Sequence, residues 1–218
     1  IPSQSWIDSL YVDVKKIGVS EDTWITIKPL LKFDARVNSL DKSQPEFTHD
    51  LTSYLNKRVT ESRIGYAKQM IAQHDLLLNS IESEFDVPKE LIVALWGLES
   101  DFGRYQGNFN IITSLTSLTT GRRGEYFRNE LLEAIALFNE GHYQVDEFVG
   151  SWAGAIGQCQ FMPWNARNYG VDYDRNGFVD LQNSTSDALA SIANFVRALG
   201  WNRSFIWGRP VSFSEKID

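Results

Sequence analysis

The chain has 218 residues, of which 22% are charged and 13% aromatic, and a formal net charge of −7. Those proportions exclude wholesale disorder, and the acidic balance excludes a nucleic-acid partner held by phosphate neutralisation. One cysteine, Cys159, rules out an intrachain disulfide and leaves the redox compartment open, and no apolar run approaches the roughly 18 residues that span a bilayer.

The first 80 residues are expected to be helical. Trp6, Leu10, Val14 and Ile17 recur at helical spacing and Gly18 is a natural stop. Ser20 is placed as the N-cap of a second helix with acidic residues in its first turn. A loop is expected from Asp41 to Pro45, then a short apolar stripe of Phe47, Leu51, Tyr54 and Leu55. Thr60 is expected to start the longest helix, running to about Phe85, with Ile64, Ala67, Ile71, Leu78 and Ile81 inward. His49, His74 and His142 have no Cys or His at metal-ligand spacing, so zinc is not expected.

The helix that follows Pro88 carries the most unusual residue. Leu91 to Leu98 is apolar all round, which predicts a fully buried segment. Glu99 lies three, four and seven residues after Trp96, Leu95 and Ile92, so it shares their face. A carboxyl there is expected to have a raised pKa, as the acids used in sugar chemistry do. The alternative is a buried Glu satisfied by a neighbouring Arg or backbone N–H, and on this segment alone that is the more common outcome.

Arg104 to Asn110 is expected as a loop. Ile111 to Leu118 carries interleaved polar residues, and Arg122 and Arg123 stand at the entrance of a helix with Leu131, Leu132, Ile135, Ala136 and Phe138. Gly150 to Trp164 combines small residues with Trp152, Gln158, Gln160 and Trp164, the mix of flat rings and amides that suits sugars; tight helix packing with incidental polar groups is the alternative. Cys159 is read as a small buried residue. Asp172, Asp174 and Asn176 fit positions 1, 3 and 5 of a calcium loop, Gly177 the turn at 6, and Phe178 the carbonyl at 7. Asn183 at position 12 breaks the fit, and Asp187, at the start of a last helix running to Leu199, substitutes for it if the loop is longer. A polar Asx-rich turn is the alternative, and we take calcium over it.

In combination, Gln44–Phe47, Trp96–Gly103, Arg122–Phe127, Gly150–Gly157, Gln160–Pro163, the acidic loop from Asp172 and Asp187–Asn194 resemble the family 3 lytic transglycosylases, from about Trp6 to Pro210. The resemblance implies a mainly α fold: an N-terminal helical region (1–80), then a lysozyme-like catalytic core (81–218) with an EF-hand-like calcium loop at 172–187. It implies Glu99 as the single catalytic acid, with Ser151, Gln160, Arg122, Arg123 and Tyr126 binding substrate. It implies Asp172, Asp174, Asn176, Phe178 and Asp187 around a structural calcium ion. The implied activity is non-hydrolytic cleavage of the bond between N-acetylmuramic acid and N-acetylglucosamine, giving 1,6-anhydro ends.

The implied setting is a monomer acting on peptidoglycan strands in the periplasm of a Gram-negative bacterium. Because the chain starts at Ile1, a segment giving outer-membrane association is expected to have been removed. Two departures stand out. Phe195 occupies a place where many relatives have Tyr, and no Tyr-Asn segment completing the active site precedes Asp218, so the chain is expected to be shortened or its cleft wall built differently. A lysozyme-type hydrolase, a non-catalytic glycan-binding module and a calcium-regulated interaction protein are the competing readings.

Overall fold

The computed structural model describes residues 2–43, 51–204 and 208. Among them the chain forms eleven α-helices and one two-stranded sheet, as the mainly α expectation requires. Helix α1 (Gln4–Lys16) is capped by Ser3 and buries Leu10 and Val14; α2 (Glu21–Ile27) is capped by Ser20, whose hydroxyl accepts from the Thr23 N–H. Gly18 has a φ of 81°, the left-handed stop that the stripe before it needs. Helix α3 (Ala35–Lys42) takes in Asp41 and Lys42, so the loop expected from Asp41 starts later. Its remainder, with Gln44–Phe47 and His49, lies outside the described residues.

Helix α4 (Leu51–Arg58) leaves Tyr54 and Leu55, two members of the expected apolar stripe, exposed. The long helix expected from Thr60 is in fact two, α5 (Glu61–Gln73) and α6 (Asp75–Phe85), broken where His74 leaves helical geometry (φ −107°, ψ 23°). His74 is half-buried there and stands edge-on to the Trp96 ring at 5.8 Å, which sets the break against the core. Helix α6 crosses residue 80, so the two expected regions share a helix. It packs on α7 (Lys89–Ser100) and on α11 (Thr185–Ala198).

Beyond α7 the chain forms β1 (Phe109–Asn110), α8 (Ile111–Leu118), α9 (Gly124–Asn139), β2 (Val149–Gly150), α10 (Pro163–Tyr169) and α11. Every residue of α8 is buried. Three of its four interleaved hydroxyls bond the helix or a neighbour: Thr116 donates to the Ile112 carbonyl, Ser117 to Thr113, and Thr113 to Leu30, while the buried Ser114 hydroxyl has no partner among the described residues. Helices α3 and α9 pack on this central rod. Strands β1 and β2 pair antiparallel, Phe109 opposite Gly150 and Asn110 opposite Val149. Further bridges from Gly150 to Ile156 and from Ile156 to Phe161 extend this small β platform, so the Gly150–Phe161 stretch is not tight helix packing. Gly107 shows why small residues gather here: its φ is 89°, and a Cβ on it would collide with the Gly150 carbonyl.

Candidate active site and acidic loop

Helix α7 is not buried on all sides. Ile92, Val93, Trp96 and Gly97 are inside, but Leu91 and Leu95 are half-buried and Ala94 and Leu98 exposed. Its neighbours α5, α6 and α11 cover only part of its circumference, so an all-apolar helix keeps one open face. Glu99 stands on the exposed side at the helix end, not in the interior. Among the described residues it makes no ion pair or hydrogen bond. Desolvation by the protein around it raises its pKa, and the positive charge of Arg58 opposes that shift. An acid that is desolvated, unbonded and open on one side is one that an incoming group can reach.

The chain after Glu99 is held in an uncommon shape. Asp101, Phe102 and Gly103 are all left-handed, with φ of 53°, 61° and 81°, and two of them are not glycine. The turn folds Phe102 back over Gly97, where any Cβ would strike its ring, and onto Trp96 at 5.6 Å in an edge contact. Asp101, the carboxylate nearest in sequence to Glu99, turns to Arg104 (2.6 Å) and Arg63 (3.5 Å).

Two bonds lock the end of α7 to the Gly157–Gln160 segment. The Ser100 hydroxyl donates to the Gln158 carbonyl at 2.5 Å, and the Trp96 Nε1–H donates to Gln158 Oε1 at 3.0 Å. Gln158 is therefore buried and structural, and not one of the exposed amides expected for sugar contacts. Gln160 is half-buried with φ 50°; its Nε2 donates to the Gln106 and Gly157 carbonyls, which leaves its side-chain oxygen for an outside donor. Ser151 Oγ accepts the Ala155 N–H at 3.0 Å, so its own hydrogen is available to donate. Cys159 is buried between these groups, and burial pushes its thiol up to about 12, which rules out a thiolate nucleophile.

Arg122 and Arg123 are exposed at the start of α9, Arg123 lying 5.1 Å from the Phe127 ring and 6.0 Å from Tyr126. Glu130, one turn further along α9, was not singled out by the sequence reading. It is buried, accepts the Trp164 N–H at 3.0 Å, and its pKa is raised by desolvation despite that bond. The signal was present: Glu130 falls three after Phe127 and four before Ala134, on the apolar face, just as Glu99 does on its own helix.

In the acidic loop, carboxylate oxygens of Asp172, Asp174 and Asp187 lie within 4.8 Å of one another. Asp187 is fully buried in the first turn of α11, which Ser184 caps and which begins at Thr185, two residues earlier than expected. Its oxygens accept the N–H groups of Tyr173 and Asp180 at 2.9 Å each. Asp172 accepts from Asn176 and Gly177, and Asn183 turns away from the cluster to bond Asp180. Among the described residues no cation pairs with any of the three carboxylates. Phe195, at the other end of α11, packs between the rings of Phe161 (5.3 Å) and Tyr169 (5.2 Å).

The mainly helical fold, with an exposed acid at the end of α7, is that of the lysozyme-like class. More narrowly, the chain belongs to the transglycosylase SLT domain family, whose model matches residues 2–218. It is similar to membrane-bound lytic murein transglycosylase B of Escherichia coli K12, 33% identical over 150 residues, covering 68% of this chain and 41% of that protein. The fold matches SltB3 of Pseudomonas aeruginosa, solved with NAG-anhNAM-pentapeptide: TM-score 0.87, 35% identity, 94% of this chain and 55% of that one. It also matches the Escherichia coli lytic transglycosylase SLT35 solved with calcium: TM-score 0.70, 30% identity, 77% of this chain and 54% of that one. The chain thus spans about half the length of the relatives it matches. No helix among the described residues is long and apolar enough to cross a membrane.

Proposed function

We propose that this chain is a peptidoglycan lytic transglycosylase in which Glu99 acts alone, first as acid and then as base. The observation that carries the reading is the state of Glu99: pKa raised by desolvation, without a hydrogen bond or ion pair among the described residues, and exposed at the end of α7, which Trp96 and Ser100 tie to Gln158. A glycoside hydrolase ordinarily uses two carboxyl groups, the second as base or nucleophile. Here the nearest carboxylate in sequence, Asp101, is engaged by two arginines. One acid suffices when the substrate brings its own nucleophile. Protonated Glu99 gives its proton to the oxygen joining N-acetylmuramic acid to N-acetylglucosamine, and the C1–O bond breaks. The muramoyl C6 oxygen then forms a bond to C1, its proton passes to the Glu99 carboxylate, and the acid is regenerated. The product end is a 1,6-anhydro sugar, the kind of ligand named in the SltB3 complex.

Ser151, through its free hydroxyl hydrogen, and Gln160, through its side-chain oxygen, orient the substrate's N-acetyl group or hydroxyls; Arg122 and Arg123 meet the anionic peptide stem, with Tyr126 beside them. The calcium-binding reading rests on the donor set. Three carboxylates that converge with no cation paired to them among the described residues, one fully buried, suit a hard divalent ion bound by oxygen. Asp172, Asp174, Asn176, the Phe178 carbonyl and Asp187 would hold it, and the ion would brace the entry to α11 without touching the reaction. The setting that follows is a monomer working on glycan strands in the Gram-negative periplasm, with outer-membrane association supplied by a segment other than these residues. Product analysis on purified peptidoglycan tests the reading: anhydro ends are expected, reducing ends would mean a hydrolase, and full lysis by Glu99→Gln would remove the catalytic assignment.

A further inference from the structure

Arg63 is placed where a cation is least welcome, in the first turn of α5, against the positive end of that helix's dipole. Its backbone N–H is taken by the Thr60 cap at 3.2 Å, and its guanidinium reaches out of the helix in two directions. Nη1 donates to the Arg58 carbonyl at 2.7 Å, one of the acceptors left over at the end of α4. Nε stands 3.5 Å from an Asp101 oxygen, two residues after Glu99. One half-buried side chain therefore ties the end of α4 to the turn that follows the acid.

Both ends of that tie bear on Glu99. On one side, the left-handed pair Asp101 and Phe102 has no glycine to ease it and must be held by its neighbours. Asp101 is gripped by Arg63 and by Arg104, and Arg104 lies over the Tyr66 ring at 4.5 Å, three residues along α5 from Arg63. Tyr66 in turn stands edge-on to Phe102 at 5.0 Å. On the other side, α4 stands off the core: every side chain described from Thr52 to Thr60 is exposed. Its end nevertheless lines an apolar hollow of about 150 Å³ together with Arg63, Gly97, Phe102 and Leu98, the residue before Glu99. Arg58 is thereby kept within electrostatic reach of the Glu99 carboxyl. Among the described residues the other groups near the acid are engaged or uncharged. Asp101 and Arg104 pair with each other, the Cys159 thiol is neutral, and no charge of α6 or α11 bears on Glu99.

A partly exposed ion pair adds little to stability, and a left-handed turn without glycine subtracts from it, so the arrangement serves geometry more than folding. We infer that Arg63 is a positioning residue for the reaction: it seats the turn that follows Glu99 and the end of α4 that carries Arg58, and so fixes both where the carboxyl stands and which charge it feels. The inference rests on the catalytic reading of Glu99 above. Arg63 touches no reacting atom; it acts through Asp101 and Arg58.

The test reads the pH–rate profile of peptidoglycan lysis, with Tm recorded for every variant. Arg63→Ala is expected to lower the maximum rate about tenfold and to move the alkaline fall about half a pH unit to higher pH. Adding Arg58→Ala is expected to move that fall no further, because both substitutions remove one charge from Glu99. A clear further shift would mean that Arg63 does not act through Arg58, and would overturn the inference. Arg63→Lys keeps a positive charge but not the fork that reaches both partners, so it is expected to show the shift as well. A parental profile in Arg63→Lys would make Arg63 a charge and not a positioning group. An alkaline fall that stays in place or moves to lower pH in Arg63→Ala overturns the inference, whatever happens to Tm. If Arg63→Ala does not fold, Arg63→Lys decides. Full lysis by Glu99→Gln overturns the catalytic reading and this inference together. An inactive Glu99→Gln beside an unmoved Arg63→Ala profile overturns the inference alone.

Discussion

Two glutamates in this protein have pKa values raised by desolvation, one exposed at a helix end and one buried, and they are put to opposite uses. Glu130, at the α9–α10 junction, is buried and accepts the backbone N–H of Trp164. Glu99, at the end of α7, is flanked by protein but bonded to nothing among the described residues. Burial raises the pKa of both, so the shift alone does not mark the reactive one. What separates them is the missing partner. A carboxyl with donors is a structural joint, and a carboxyl with none, open on one side, is ready for a proton that arrives with the substrate.

Several substitutions break or sharpen that contrast. The largest effect is expected from Glu99→Gln, which should lower the rate of peptidoglycan lysis by roughly 10²–10⁴-fold. It should not lower stability. A carboxyl whose folded pKa is raised stabilises the fold while protonated and loses that contribution as pH rises through its unfolded and then its folded pKa. At pH 7 the variant is therefore expected to melt no lower than the parent, and its advantage to fade as pH falls toward the acidic side. A lower Tm at pH 7 would make Glu99 a structural residue like Glu130.

Calcium is expected to raise Tm of the parent, by an amount equivalent to about 2.7 kcal/mol at a hundredfold excess over its Kd. Asp187→Asn should abolish that rise, since it removes the buried carboxylate of the cluster. If neither Tm nor activity responds to calcium, the loop is only an Asx-rich turn. Gln158→Leu should destabilise by about 1–3 kcal/mol, because it orphans the buried Trp96 Nε1–H that Gln158 now serves. Lysis should fall with it, as the end of α7 loses one of its two ties to the Gly157–Gln160 segment. The smallest effect is expected from Arg58→Ala. The Arg58 charge holds the Glu99 pKa down, so its removal should move the alkaline fall of the pH–rate profile to higher pH while leaving the maximum rate within a few-fold. A limb that moves to lower pH would contradict the assignment of that limb to Glu99.

Much of this was legible from residue order. Capping at Ser20, the stop at Gly18, the burial of Leu10 and Val14 on α1 and the burial of Cys159 follow from local chemistry, and the structure agrees, whereas Ile17, expected on the same stripe, caps α1 and is exposed. The convergence of Asp172, Asp174 and Asp187 was also visible as a loop with one misfit, because closely spaced acidic residues and a turn glycine leave few other geometries. Three features were misread, each for want of a distant neighbour. Leu91 to Leu98 looks wholly buried in sequence, yet α5, α6 and α11 leave one face of α7 uncovered. The segment from Thr60 to Phe85 has unbroken helical periodicity, yet the contact between His74 and Trp96 accompanies a break in it. Gln158 has the chemistry of a sugar contact, yet its amide is consumed by Trp96, Gln182 and Thr185.

The sequence by itself determined that an acid would sit on the apolar face of a helix, with small residues, amides and an acidic loop downstream. That much is periodicity and side-chain chemistry, which act within a few residues. Only the tertiary structure decided which acid is left without a partner. Hydrogen-bond satisfaction is settled by groups far apart in the chain: Trp164 reaches Glu130 across 34 positions, and among the described residues nothing reaches Glu99.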